Sequence, residues 1–214
     1  MITSELIPEL VCEKCLRYFS KYEHLEKSED IRLSRPALRR HQRSCALRFT
    51  NRIFVASDLE LFCIEPKAPM QERRCAFHIA KTMHRSGEVP GDLIGWYWYR
   101  EHHNDIEPSY AFIPVVKGQV AGFVIVRKRI AFAFARRYRK FVPVESNPQL
   151  HWCIEKIWIY ETYRRKGFAS TTIRSIAQYF QEDTANLGWL TPFSGTGFSL
   201  VYSLSGETVY LSTS

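Results

Sequence analysis

The sequence predicts an α+β fold, and three features point to it. The first is a β-branched and aromatic run that changes period. Ile154, Ile157, Trp158, Ile159 and Tyr160 read as a strand, and after Gly167 the apolar residues Phe168, Ile173, Ile176, Ala177 and Phe180 recur at the three- and four-residue steps of an amphipathic helix. The second is Tyr110 to Val126, two apolar runs separated by Lys117-Gly118-Gln119, which reads as a β-hairpin. The third is Cys12-x-x-Cys15 followed by His41-x-x-x-Cys45, two pairs that can close tetrahedrally on one metal ion. The chain divides accordingly into a small finger, residues 1–47, and an α+β domain, residues 48–214.

A chain of 214 residues can bury a sizeable core in one medium domain with a small appendage. Its 45% hydrophobic and 24% charged content fits an ordinary soluble domain. No apolar run approaches the length of a membrane span, and Glu5 and Glu9 stand where a signal peptide needs a basic start, so the expectation is an intracellular protein with no membrane partner. The six cysteines are not dense enough for a disulfide scaffold and read as thiols and metal ligands in a reducing compartment. A net charge of +8, clustered at Arg39-Arg40, Arg127-Lys128-Arg129, Arg136 to Lys140 and Arg164 to Lys166, attracts nucleic acid, acidic protein surfaces and phosphates without choosing among them.

Taken in order, the finger's helix is expected over Arg35 to Arg43, started by Ser34 and Pro36. The separation of Cys15 from His41 exceeds that of a compact finger, so Lys21 to Ser34 reads as an inserted loop, with His24 a competing ligand. Arg48 to Ile64 alternates as one or two strands, and Ala68 to Arg85 has helical spacing at Cys75, Ile79 and Met83. Glu88 to Gly95 is loop, and Trp96, Trp98 and Tyr99 continue as a strand, line a substrate groove or pack in the core. Ile130 to Asn147 reads as an irregular arm near the substrate or a solvated edge. Gly195 to Leu204 is a short helix ended by Gly206, and Thr208 to Leu211 the closing strand.

The strand, basic turn and helix around Gly167 form an anion cradle. The helix N-terminus offers unpaired N–H groups, Arg164, Arg165 and Lys166 add charge, Gly167 admits close approach, and small Ala169 and Ser170 after Phe168 keep the first turn clear. Neither a P-loop ending nor a Gly-x-Gly-x-x-Gly spacing is present. The pattern Arg164-x-x-Gly167-x-Ala169 instead resembles the acetyl-CoA pyrophosphate loop of the GNAT acetyltransferase superfamily, written Gln/Arg-x-x-Gly-x-Gly/Ala. With Lys156 to Tyr160 before it, the 110–126 hairpin and Trp189-Leu-Thr-Pro192, the chain resembles the sister-chromatid cohesion acetyltransferases, zinc-finger GNAT enzymes that acetylate cohesin. The likeness spans roughly residues 10 to 210 and is dense from about 110 onward. Val11 to Phe19 is also similar to the finger of MYST acetyltransferases.

The resemblance implies a mixed, mainly antiparallel sheet flanked by helices, with the finger packed on it as a structural clip. It implies acetyl-CoA as cosubstrate, structural Zn2+ on Cys12, Cys15, His41 and Cys45, a protein substrate with an accessible lysine, possible chromatin or DNA contact through the basic patches, and a nuclear location. Backbone N–H groups of Ile157, Trp158 and Ile159 are the expected pantetheine and carbonyl contacts. The acids tied to catalysis in that family align with Arg174 and Thr191, so neither is kept. Glu155, expected on one face with Cys153 and Ile157, is the replacement base, against a salt bridge to Lys156 or Arg165. Tyr202 is the expected acid for the departing thiolate. The reading is an acetyl-CoA-dependent N-acetyltransferase acting on protein lysine. Its competitors are an enzyme acetylating a small amine and a nonenzymatic zinc-finger nucleic-acid binder; the missing acids favour the latter and the intact loop opposes it.

Overall fold

The computed structural model describes residues 10–20, 27–86, 109–138 and 140–213. The expectations for His24, the 88–95 loop, and Trp96, Trp98 and Tyr99 lie outside them. The described chain runs α1 (Lys27–Ser44), β1 (Arg52–Ala56), β2 (Leu59–Ile64), α2 (Met70–Arg85), β3 (Ser109–Val116), β4 (Gln119–Val120), β5 (Gly122–Arg137), β6 (Lys140–Pro143), β7 (Gln149–Ile159), α3 (Phe168–Tyr179), β8 (Gly188–Thr191), α4 (Gly195–Leu204) and β9 (Thr208–Thr213).

The strands form one mixed sheet in the order β1-β2-β3-β5-β7-β8-β9, with β4 on β3 and β6 on β5. Pairing is antiparallel except where β8 lies parallel to β7 and to β9. The hairpin turn falls where expected: Lys117 and Gly118 both take left-handed φ, 50° and 75°, matching the twist that two-residue hairpin turns require.

Two cores form because alternate residues of each strand face opposite sides. On one side Ile113, Phe123, Ile125 and Trp158 pack under Ala76, Ile79 and Met83 of α2. On the other, Phe112, Val124, Val126 and Ile154 pack under Ile173 and Ile176 of α3 and Val201 of α4. Val11 and Leu16 of the finger join the first core, the Thr82 hydroxyl donates to the Leu16 carbonyl at 2.5 Å, and Val120 N–H donates to Lys14 O at 2.8 Å.

Two expectations are corrected. Lys21 to Ser34 is not wholly a loop, since α1 starts at Lys27 and carries Pro36 in its interior. Asp30, Ser34 and Leu38 recur every four residues and are all buried, and the Ser34 hydroxyl donates to Asp30 Oδ1 at 2.7 Å; this anchored stripe extends the helix toward its N-terminus. Residues 130–137 are not an irregular arm but the second half of β5, which pairs with β7 through Ala131 and then with β9 and β6. Small Ala131, Ala133 and Ala135 alternate there with Phe132 and Phe134, a strand pattern that the flanking charges conceal.

Candidate functional site

Cys12, Cys15, His41 and Cys45 come together as expected, with one donor atom of each within 4.8 Å of all the others. Cys12 Sγ lies 3.9 Å from Cys45 Sγ, and Cys15 Sγ lies 3.2 Å from His41 Nε2. A tetrahedral ion with metal–sulfur bonds of about 2.3 Å sets its sulfurs about 3.8 Å apart, so the donor set and spacing fit one ion. The Cys15 thiol beside it holds Cys12 down to about 5, while the same contact and burial raise Cys15. Leu38 closes this cluster against the buried thiols.

The second site grows from a defect in β7. Ile125 stands opposite Lys156 and Val126 opposite Ile154, so Glu155 is an extra residue, a β-bulge. The parallel pairing of β7 with β8 covers Cys153 with Gly188 and Ile154 with Trp189, and ends there. Beyond the bulge, β7 keeps β5 as its described partner on one edge while β8 departs from the other. Tyr160 N–H donates to Ala121 O at 2.8 Å, so by antiparallel alternation Trp158 turns its N–H and C=O to β5. Ile157 and Ile159 turn theirs to the gap, and Arg164 Nε reaches the Ile159 carbonyl at 2.7 Å. Of the three expected backbone contacts, Ile157 and Ile159 therefore face the gap, whereas Trp158 is committed to β5 and its side chain is core.

The gap leads to the loop before α3. Gly167 is the N-cap of α3 at φ 80°, and Arg165 is also left-handed at φ 60°. A Cβ on Gly167 would meet nothing within 4 Å, so glycine is required there by its φ and not by crowding. Lys166 Nζ donates to the Thr162 carbonyl at 2.8 Å, so Lys166 and Arg164 both brace the loop's own backbone. Arg165 is exposed. Phe168 packs on Tyr163 and against Leu59, Val116 and Ala121, and half-buried Ala169 and Ser170 fill the first turn. The first N–H groups of α3 and the left-handed loop offer backbone donors and the positive end of the helix dipole to an anion such as a diphosphate.

Glu155 lies beside this gap, on the α2 side of the sheet. Its Oε1 accepts from Arg129 Nε and stands 3.6 Å from Arg127 Nε, and Arg127 Nε also donates to the Ser109 hydroxyl at 2.9 Å. The partners are thus Arg127 and Arg129, not Lys156 or Arg165. The bulge also separates Glu155 from Ile157, which packs on the α3 side. Glu155 Oε2 is buried and has no hydrogen-bond partner among the described residues. Sequence reasoning passed over the two arginines as surface charge. Their signal was an alternation, Arg127-x-Arg129, inside a strand otherwise apolar on that face.

Tyr202 sits on α4 with the Arg136 guanidinium 4.5 Å from its ring centre and Phe198 stacked beside it. Arg136 also donates to the carbonyls of Tyr202 and Ser205, at 2.6 and 3.1 Å, tying the end of α4 to β5. The Tyr202 hydroxyl makes no hydrogen bond among the described residues.

No curated protein sequence matches this chain. Among solved structures, it is similar to the "xEco2 acetyltransferase domain bound to K105-CoA conjugate", with TM-score 0.58 and 14% identity over 76% of this chain and 98% of that one. It is similar also to a second structure of the xEco2 acetyltransferase domain, with TM-score 0.58 and 13% identity over 78% of this chain and 98% of that one. At such identities the likeness is one of fold. Residues 72–194 match the acetyltransferase (GNAT) family, a span that holds the bulge, the gap and the loop before α3. The chain belongs to the acetyltransferase (GNAT) family.

Proposed function

We propose that the chain transfers acetyl from acetyl-CoA to a lysine amine of a protein. The observation that carries this reading is the bulge at Glu155, which coincides with the end of β7–β8 pairing and opens onto the left-handed loop at Gly167. The diphosphate of CoA sits against the N-terminus of α3 with Arg165, and the pantetheine runs along β7, bonding to Ile157 and Ile159. The CoA thioester supplies the activated acetyl group. The conjugate held by the xEco2 domain joins CoA to a residue denoted K, which supports a lysine acceptor.

On this reading the amine nitrogen attacks the thioester carbon, the carbon–sulfur bond breaks and CoA leaves as thiolate. Glu155 Oε2, the oxygen without a partner among the described residues, takes the proton lost by the amine, directly or through water. Tyr202 supplies the proton that the thiolate takes up. The Cys12, Cys15, His41 and Cys45 cluster holds Zn2+ as a structural clip, its three thiols and imidazole matching that ion's preference. The test is transfer itself. With labelled acetyl-CoA and a protein carrying accessible lysines, label is expected on lysine side chains. Label appearing only on small amines or on hydrolysed acetate would overturn the reading.

A further inference from the structure

A charged surface outside the gap lies on α1. At about 100° per residue, Asp30, Ser34, Leu38, His41 and Cys45 occupy roughly one quarter of the helix, the side turned to the finger core and the cysteine cluster. Arg32, Arg35, Arg39, Arg40 and Arg43 all fall within an arc of roughly 140° on the opposite side. All five are exposed. One acid, Glu29 in the first turn, shares that arc by position, and Leu33 lies just outside it. From Arg32 to Arg43 the row is about 16 Å long at 1.5 Å per residue.

We infer that this arginine face of α1 docks on duplex DNA, held through the phosphate backbone and independent of the acetyl-CoA site. Three observations select that partner. The face is built of arginine alone among cations, the side chain whose planar fork grips phosphate bidentately. Its apolar members are Pro36 and, at its margin, Leu33, with no aromatic side chain among them, whereas protein partners are normally held by buried aromatic anchors at the interface centre. A helix about 10–12 Å in diameter enters the B-form major groove, about 12 Å wide, but not the deep, narrow major groove of A-form RNA.

The helix is also presented rigidly. His41 and Cys45 fix its last turns to the metal cluster, and the finger shares the α2-side core of the sheet. At the foot of α1, on the side of the cysteine cluster and not of the arginines, an open groove of about 810 Å3 is lined by Arg17, Arg74 and Lys81, with no acid among its lining residues. Docking through the arginine face would hold the acetyltransferase beside proteins that are themselves on DNA.

The test is fluorescence anisotropy of the zinc-loaded full chain with a B-form duplex across a salt series. Wild type is expected to show log K falling against log salt with a slope of about −4.5, −0.9 for each of five contacts. Replacing Arg35→Ala, Arg39→Ala and Arg43→Ala together is expected to flatten the slope by about 2.7 and weaken binding roughly 10²-fold at about 0.1 M salt. Melting temperature and acetyl-CoA affinity are expected to stay unchanged. Lysine at the same three positions should retain most of the slope. If the triple alanine variant loses its fold, Arg39→Ala alone should flatten the slope by about 0.9. Undiminished DNA binding by the alanine variants would overturn the inference and move the contact to another basic cluster. Tighter binding to duplex RNA, or to polyglutamate of equal charge, would overturn it as well.

Discussion

Arg129 reaches across the β5–β7 pair to hold Glu155 by Oε1, and the Glu155 side chain is fully buried beneath that contact. The proposed base is therefore also a structural anion. Glu155→Gln leaves two guanidinium groups around a neutral amide, and breaking a buried pair in this way costs about 3 kcal/mol. The variant is expected to melt earlier and to turn over about 10² to 10⁴ more slowly. The two roles separate by pH. If Oε2 takes the amine proton, higher pH supplies neutral amine and restores part of the rate in the folded variant. A folded, acetyl-CoA-binding Glu155→Gln protein that stays equally slow at every pH would leave Glu155 with a positioning role only.

Gly188 stands opposite Cys153 in the β7–β8 pair, one step before the two strands part. A Cβ there would lie 2.2 Å from Cys153 Sγ and 3.3 Å from His151 Cβ. Gly188→Ala is expected to cost about 1–3 kcal/mol of stability by overpacking and to weaken acetyl-CoA binding, because β8 must shift off the two steps that pair it with β7. Cys153→Ala in the same chain removes the nearest atom and should recover part of both losses. The check is a double-mutant cycle on melting and on calorimetric affinity. Additive losses would show that the two residues do not share this contact.

The thiols divide by environment. Burial pushes Cys63, Cys75 and Cys153 up to about 12, so at neutral pH almost none of each is thiolate. Cys12, Cys15 and Cys45 are protected in a different way, by the ion they are proposed to hold. Iodoacetamide near neutral pH is expected to label no cysteine in the zinc-loaded protein. After a strong chelator it should label those three first, with loss of the finger's packing and a lower melting temperature. Mass spectrometry of the labelled peptides reads the outcome. Early labelling of Cys153 or Cys63 in the zinc-loaded protein would contradict the burial argument.

Patterns local in sequence made much of this molecule legible. The strand–turn–helix at 154–180, the Lys117-Gly118 hairpin and the cluster of Cys12, Cys15, His41 and Cys45 each declare themselves through period, turn chemistry or spacing, and the structure holds all three. What stayed hidden depends on partners far along the chain. The bulge at Glu155 exists only relative to Ile125 and Val126, and it alone moves Ile157 to the opposite face. Arg136 beneath Tyr202 joins residues 66 positions apart, and no spacing rule connects them. The early start of α1 was masked by Pro36, normally a sign of a helix beginning, because burial of Asp30 and Ser34 outweighs a missing backbone donor.

The loop before α3 allows a test in which stability and affinity move in opposite directions. Arg165 and Gly167 both take left-handed φ, 60° and 80°, which costs a residue with a side chain about 1 kcal/mol or more and costs glycine almost nothing. Arg165→Gly relieves that strain, so the protein should melt slightly later. It also removes an exposed guanidinium beside the α3 N-terminus, so acetyl-CoA should bind several-fold more weakly, and more so at low salt, where charge attraction is least screened. Gly167→Ala should do the reverse for stability. The space around its Cβ is open, yet the φ is unfavourable, so stability falls by about 1 kcal/mol. Affinity falls as well, because the N-cap geometry that aims the first N–H groups of α3 is disturbed. Gly167→Glu adds a negative charge at the cradle and should abolish binding. Melting curves and calorimetry on the three variants decide the matter. If Arg165→Gly and Gly167→Glu bind acetyl-CoA as tightly as wild type, the diphosphate does not sit at this helix terminus.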